Sequence, residues 1–251
     1  MPGSAHAQGG PPYLTNDPGT PGDSNWEINL AVAPTVSRAA ATYQIPQVDL
    51  NYGLGDRVQL TLEVPYVVQQ ISGAPSHSGW SNAYPGIKWR FWDQGEDGWQ
   101  ASVFPQLETG ASSLAQLRVI GEPGPRWLLP LEFARKLGPL DVDFEFGEYF
   151  PKHGAHESLF GLVAGRSLTP KFELDAELYV DHATDALPYY NILDVGGRYQ
   201  LTSSFIALFM AGRTVGSDRA GPPLYVGYFG IQILLSHYGT ALMPATPSTG
   251  R

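Results

Sequence analysis

Apolar and polar residues alternate along most of this chain, in short segments that begin at Trp26. The first segment places Trp26, Ile28 and Leu30 on one face and Glu27 and Asn29 on the other. A period of two is typical of a β-strand between an apolar and a polar medium, because successive side chains point to opposite faces. Gly, Pro, Asn or Asp residues bound the segments, which predicts turns between them.

The pattern predicts twelve strands, of which nine alternate cleanly and three are less regular. Short connections alternate with longer loops, and an even number of strands returns both ends of the sheet to one side. We therefore predict an all-β fold, a closed antiparallel up-and-down transmembrane β-barrel of about 12 strands. The predicted strands cover residues 26–32, 48–52, 58–66, 87–91, 101–107, 127–133, 140–146, 159–167, 172–180, 193–199, 205–212 and 224–235.

Composition narrows the function classes further. The 251 residues include 29 Gly and 22 Pro, which suit short strands joined by turns better than helices. A net charge of -9, from 24 acidic and 15 basic residues, cannot neutralise a run of phosphates, so no nucleic-acid partner is predicted. The absence of Cys excludes disulfides, thiol catalysis and thiolate metal sites. No apolar run is long enough to predict a transmembrane helix.

The two faces of the predicted strands differ in charge. The apolar faces of the nine cleaner strands carry no Lys, Arg, Asp or Glu, as a lipid-facing surface requires. The opposite faces are acidic, and we predict that they line a narrow lumen that favours cations or polarisable neutral solutes. The predicted pore-lining residues are Glu27, Asp49, Glu63, Lys88, Arg90, Glu108, Glu132, Asp141, Asp143, Glu145, Glu173, Asp175, Glu177, Asp181, Asp194 and Arg198.

Alternation alone does not decide which face is wet, so two soluble folds stay open. A two-layer sandwich would pack the apolar faces against each other. A soluble barrel would turn them inward, but twelve strands enclose more space than side chains can fill.

Several short stretches of the chain carry a resemblance to a known family. They are Leu14–Pro21, Trp26–Leu30, Asp49–Arg57, Leu62–Tyr66, Gly86–Phe91 and, less specifically, Glu173–Tyr179. The chain resembles the outer-membrane transporter family labelled "MetA-pathway of phenol degradation". The resemblance implies a Gram-negative outer-membrane barrel that passes small, often aromatic or apolar molecules, and it implies no catalytic residues. The tail after Leu235 departs from a barrel that ends in a terminal aromatic residue.

The chain divides into four predicted regions. Residues 1–7 are interpreted as a signal-peptide remnant, because Ala5-His6-Ala7 has the small-x-small form of a cleavage site. Residues 8–24 are rich in Pro and Gly and are predicted to be an N-terminal periplasmic segment or plug. Residues 25–235 form the predicted barrel, and residues 236–251 a C-terminal tail.

Two clusters of polar residues suggest a metal site or a hydrolytic site, but no predicted helix or strand aligns the side chains of either cluster. His153, His156 and Glu157 could suit zinc, yet they lie in a polar loop without a helix to align them. Asp181 and His182 could belong to a hydrolytic or calcium site, but nothing in the sequence orients them. We predict no metal, no cofactor and no enzymatic activity.

These observations predict a channel in the bacterial outer membrane, a monomeric porin that passes small solutes passively and contacts outer-membrane lipid. The alternatives are a non-conducting ligand-binding or structural barrel and, third, a barrel phospholipase. No predicted strand places a Ser and a His together on its outward face, as the phospholipase would need. The loop Thr109–Pro125 is long enough to fold inward, and residues 8–24 could lie across the periplasmic mouth or remain an exposed tail.

Overall fold

The computed structural model describes residues 9–95, 98–112, 115–116, 120–121, 124–152, 156–183, 190–216 and 224–236. In this part of the chain fourteen β-strands form one antiparallel sheet. They are β1 (Trp26–Val36), β2 (Ala40–Leu54), β3 (Val58–Ile71), β4 (His77–Trp80), β5 (Tyr84–Asp93), β6 (Gln100–Val103), β7 (Gln106–Glu108), β8 (Arg126–Leu137), β9 (Leu140–Pro151), β10 (Glu157–Thr169), β11 (Phe172–Ala183), β12 (Tyr190–Gln200), β13 (Phe205–Val215) and β14 (Tyr225–Leu235).

The sheet closes into a barrel because β1 pairs with both β2 and β14. On the other side β3 pairs with β5, and β6 and β7 share one position between β5 and β8. The short β4 pairs with residues 66–69 of β3 and extends that strand's hairpin. The barrel therefore has twelve strand positions, and the predicted closed twelve-stranded antiparallel fold is confirmed.

Two details differ from the predicted strands. The predicted strand 101–107 is divided into β6 and β7, because Pro105 has no N–H to give to the ladder. The Pro105 carbonyl still accepts from the Ile87 N–H at 3.0 Å, so the barrel wall remains continuous there. In addition, β4 lies in a stretch that we predicted to be loop only.

Short turns lie at one end of the barrel, which we call the turn end, and longer connections at the other, the loop end. Gly138 and Pro139 join β8 to β9 at the turn end, where Gly138 has a φ of 62° that favours glycine. Trp26 and Leu235 are directly paired, so both ends of the sheet lie at the turn end. No helix among the described residues is long and apolar enough to cross a membrane.

The outer surface of the barrel is apolar and its interior is polar. Phe229, Phe146 and Trp127 are 63%, 57% and 53% exposed, whereas Glu132 and Glu145 on the inward face are 0% and 1% exposed. Soluble proteins rarely expose so much contiguous apolar surface, and lipid-facing barrels do so around their whole wall. The soluble sandwich and the soluble barrel with apolar faces inward are therefore wrong.

A cation placed on the middle of the outer wall should destabilise the barrel in lipid. Val195 is 52% exposed halfway along β12, and Leu201 is 49% exposed in the turn that follows. We expect Val195→Arg to lower the free energy of unfolding in phospholipid vesicles by about 2 to 4 kcal/mol, and Leu201→Arg by about 0 to 1 kcal/mol. Equal effects of the two variants would contradict the membrane-spanning orientation.

Candidate functional site

The sixteen predicted pore-lining residues all lie at inward positions of their strands. Eleven of them are buried: Asp49, Lys88, Glu108, Glu132, Asp143, Glu145, Glu173, Asp175, Glu177, Asp194 and Arg198. The other five, Glu27, Glu63, Arg90, Asp141 and Asp181, are half-buried. That these residues line a conducting pore remains a prediction, since burial alone does not establish conduction.

Residues 9–25, which we call the N-terminal segment, enter the space enclosed by the barrel. At the turn end the Thr20 hydroxyl donates to the Asp56 carbonyl at 2.9 Å, and the Gly55 N–H donates to the Asp23 carboxylate at 2.9 Å. From there the chain passes inward until the Gly9 N–H contacts a carboxylate of β9. The segment therefore occupies part of the lumen.

Four buried carboxylates on β9 and β11 hold this segment, and we call them the acidic wall. The wall consists of Asp143, Glu145, Asp175 and Glu177. The Gly9 N–H donates to Asp143 at 3.0 Å, and the Asn16 N–H donates to Glu145 at 2.7 Å. The Leu14 and Thr15 N–H groups donate to the two oxygens of Glu177, at 3.1 and 2.6 Å. Backbone donors of the segment thus replace the water that three of these carboxylates lose on burial.

Tyr13 adds a side-chain donor and an apolar contact. Its hydroxyl donates to Asp175 at 2.9 Å. Burial, reinforced by the Asp175 carboxylate, raises the pKa of the Tyr13 phenol well above its ordinary value, so the hydroxyl keeps its proton. The ring packs in an apolar cluster inside the barrel. The cluster consists of Tyr13, Ala31, Val163, Leu208, Met210 and Tyr228.

Two buried basic residues hold the carbonyl groups of the same segment. The Arg198 guanidinium donates to the carbonyls of Gly9 and Pro11, both at 2.8 Å. Lys88 donates to the Asp17 carbonyl and forms an ion pair with Glu132 at 3.3 Å. Because both bases are engaged by the segment, its donors and its acceptors are each matched by the barrel interior.

The fit of the segment also depends on a glycine of β10. Thr15 is fully buried, and a Cβ atom added to Gly161 would lie 2.1 Å from its hydroxyl oxygen. Thr15 therefore occupies the space that the absent side chain leaves on the inner wall.

A cavity of about 440 Å³ lies in the lumen beside the segment, bordered mainly by β14, β1, β2, β3 and β5 and also by Glu145, Tyr149 and Tyr179. We call the inner face of β14, β1, β2, β3 and β5 the open wall. Its carboxylates accept from amides: Asn29 donates to Asp49 at 2.9 Å, and Gln47 donates to Glu63 at 2.7 Å. These amides were not among the predicted pore-lining residues, because that prediction rested on charged side chains alone.

The loop Thr109–Pro125 packs against the inner wall near the loop end, as far as its residues are described. Ala111, Ala115 and Ile120 are buried against Val67, which lies on the same face of β3 as Glu63. These contacts place part of the loop on the inner side of the wall.

Arg126 is a lumen residue that the sequence analysis missed. It forms ion pairs with Glu108 and, at 2.8 Å, with Glu157, and it lies over the ring of Tyr149 at 4.2 Å. Arg126 begins β8 one residue before the predicted segment, so the alternation signal did not include it.

The structure does not arrange either of the two candidate clusters, as far as their residues are described, into a metal site. His156 contacts Glu148 at 2.7 Å, while His153 lies outside the described residues. Within the described ranges no group of three or more His, Asp or Glu side chains is arranged to hold a metal ion.

Comparisons with known proteins were made on sequence and on structure. Neither a protein-family model nor a curated protein sequence matches the chain. The COG4313 outer membrane channel from Pseudomonas putida F1 matches at a TM-score of 0.64 and 13% identity, over 84% of this chain and 96% of that one. The NanC porin matches at 0.59 and 7% identity, and the KdgM porin in complex with disordered oligogalacturonate at 0.57 and 11%, each over 82% of this chain and 98% of the other.

At these identities the comparisons show a common fold. The chain has the architecture of outer-membrane β-barrel channels, as the sequence pattern predicted.

Cysteine labelling can test whether the N-terminal segment is seated in the barrel. The chain contains no Cys, Leu14 is 41% exposed and Thr15 is 0% exposed. In the folded protein we expect Leu14→Cys to react with N-ethylmaleimide and Thr15→Cys to be protected. Adding Gly161→Val should make Thr15→Cys reactive, because the new side chain fills the place of Thr15. Equal labelling of the two single variants would contradict the seating, with mass spectrometry as the readout.

Proposed function

We propose that this protein is an outer-membrane channel of Gram-negative bacteria that passes small solutes passively through its acidic lumen. The observation that carries the proposal is the open wall, where carboxylates and amides border a cavity inside an apolar-walled barrel. Such an interior stabilises a polar or cationic solute while the outer wall contacts lipid. The channel-type fold of the structural neighbours supports this class.

The charge of the lumen also bears on the kind of solute. The KdgM porin was solved with oligogalacturonate, which is a chain of acidic sugars. In the chain described here acidic residues outnumber basic ones on the inner wall, and Lys88 and Arg198 are engaged by the N-terminal segment. A polyanion would be repelled, so we favour cations and neutral polarisable solutes. The resemblance to the phenol-degradation family favours aromatic or apolar compounds among the latter.

The N-terminal segment acts as a plug in this proposal. It occupies the lumen along the acidic wall and leaves the cavity that the open wall borders as the path. Its hydrogen bonds are polar, and water can replace them when the segment leaves, which makes displacement feasible.

Deleting residues 9–20 should raise the single-channel conductance in a planar bilayer, because the acidic half of the lumen then fills with water and ions. A synthetic peptide of residues 9–20, added from the turn end, should lower the conductance of the deleted protein again. Gly161→Val is a matched variant that displaces Thr15 from the inner wall while the barrel keeps all its carboxylates. Unchanged conductance after the deletion would contradict the plug.

Charge removal on the open wall tests the path itself. Asp49 and Glu63 border the cavity, whereas the acidic wall also holds the segment and would confound the result. We expect Asp49→Asn with Glu63→Gln to move the reversal potential in a salt gradient toward zero, because cation preference weakens. The control pair Asp23→Asn with Asp56→Asn removes the same charge from exposed positions at the turn end. If both pairs shift the potential equally, the path does not run along the open wall.

A non-conducting barrel that binds a ligand is the second candidate. The segment's many contacts favour it, because a firmly held plug leaves a cavity without a continuous passage. Silence of the intact protein together with conduction by the deleted one would favour a gated channel over this candidate.

A further inference from the structure

Five inward side chains form one row across the open wall. In register, Gln232 of β14 lies opposite Asn29, Asn29 opposite Asp49, Asp49 opposite Glu63, and Glu63 opposite Tyr84. Cβ atoms of directly opposite residues in an antiparallel pair are about 4.5 to 5.5 Å apart. The row therefore places two carboxylates side by side, between an amide and a phenol.

Neither of these two carboxylates forms an ion pair within the described part of the chain. Lys88 acts on Asp49 only at longer range and is itself paired with Glu132. Like charges directly opposite each other destabilise a sheet, and a positive group between them would remove that cost. Elsewhere in the lumen the barrel supplies such a group itself, as Lys88 does for Glu132 at 3.3 Å.

The hydrogen bonds of the row leave two buried acceptor atoms without a partner among the described residues, and the Glu63 carboxylate lies half-buried at the cavity. Asn29 and Asn51 both donate to Oδ2 of Asp49, at 2.9 Å each. Oδ1 of Asp49 has no hydrogen-bond partner among the described residues, although Asp49 is only 7% exposed and lines the cavity. Gln47 donates to Glu63, and its own Oε1 is likewise without a partner there. A ligand at this place must bring donors, because the atoms left to it are acceptors.

The remaining lining of the cavity is suited to an organic group. Tyr84, Tyr228, Phe104, Leu128 and Leu159 all border the same cavity as the two carboxylates. Its volume of about 440 Å³ lies within the range of small-molecule sites, and aromatic faces attract cations. Within the described residues no cluster of three or more His, Asp or Glu could hold a metal ion.

We propose that the row around Asp49 and Glu63 is a binding site for an organic ammonium ion that carries an aromatic or apolar group. The ammonium donates to the half-buried Glu63 carboxylate beside Asp49, and its apolar part lies against Tyr84. The inference rests on the proposed function, because the solute reaches the site through the lumen, and it names the solute class of that channel.

Calorimetry on the full chain in detergent tests the site without requiring conductance. Benzylamine, which is protonated at neutral pH, should bind saturably, whereas benzyl alcohol and benzoate, of similar size, should not. Asp49→Asn and Glu63→Gln should each weaken benzylamine binding by about tenfold or more, because each removes a negative charge beside the ammonium. Asp194→Asn is the matched control: Asp194 is a buried inward carboxylate on β12 that does not belong to the cavity lining.

The outcomes separate this site from the channel proposal. Equal binding of benzyl alcohol, displacement of benzylamine by equimolar potassium, or an equal loss in Asp194→Asn would each overturn the ammonium site. Where a variant fails to fold, as judged by circular dichroism, the comparison of the three benzyl compounds on the unmodified chain decides alone. Benzylamine binding without conductance, both in the intact protein and after removal of residues 9–20, would support the site and contradict the channel. Conductance without binding would do the reverse.

Discussion

The interior of this barrel depends on how buried carboxylates find hydrogen-bond donors. A carboxylate that loses water without replacement costs several kcal/mol, so four of them on β9 and β11, the two strands that flank β10, would oppose folding. The N-terminal segment supplies the missing donors as backbone N–H groups at Gly9, Leu14, Thr15 and Asn16 and as the Tyr13 hydroxyl. Arg198 in turn donates hydrogen bonds to the segment's carbonyl groups. The buried carboxylates of the acidic wall therefore depend on the segment for hydrogen-bond donors, and the segment depends on the barrel interior for its position.

This pairing divides the lumen into two unlike halves. Beside β9 and β11 the carboxylates accept hydrogen bonds from the segment, which occupies the space along them. Beside β1, β2 and β3 the carboxylates are held by neutral amides such as Asn29 and Gln47, so their charge faces the cavity. A solute would meet the field of Asp49 and Glu63 there, and this asymmetry is the physical basis of the function and the ligand class that we propose.

Much of the fold could be predicted because strand alternation is a local signal. The alternation of Trp26, Glu27 and Ile28 was sufficient to assign both faces of β1. The seat of the N-terminal segment was not predictable, because Thr15 meets Glu177 and Gly161 across long separations in sequence that only barrel closure brings together. Inward apolar residues such as Leu208 made β13 look irregular, and their reason is the ring of Tyr13. Uncharged lumen residues, the open-wall amides above all, had no charge signal to mark them.

The proposed function depends on conduction through an acid-lined path in a membrane. The first measurement is the reversal potential of the intact, refolded protein in a planar bilayer across a salt gradient. We expect discrete current steps whose reversal potential shows cation preference, because acidic residues outnumber basic ones in the lining of the cavity. Anion preference, or silence from protein shown to be folded and inserted even after removal of residues 9–20, would contradict it.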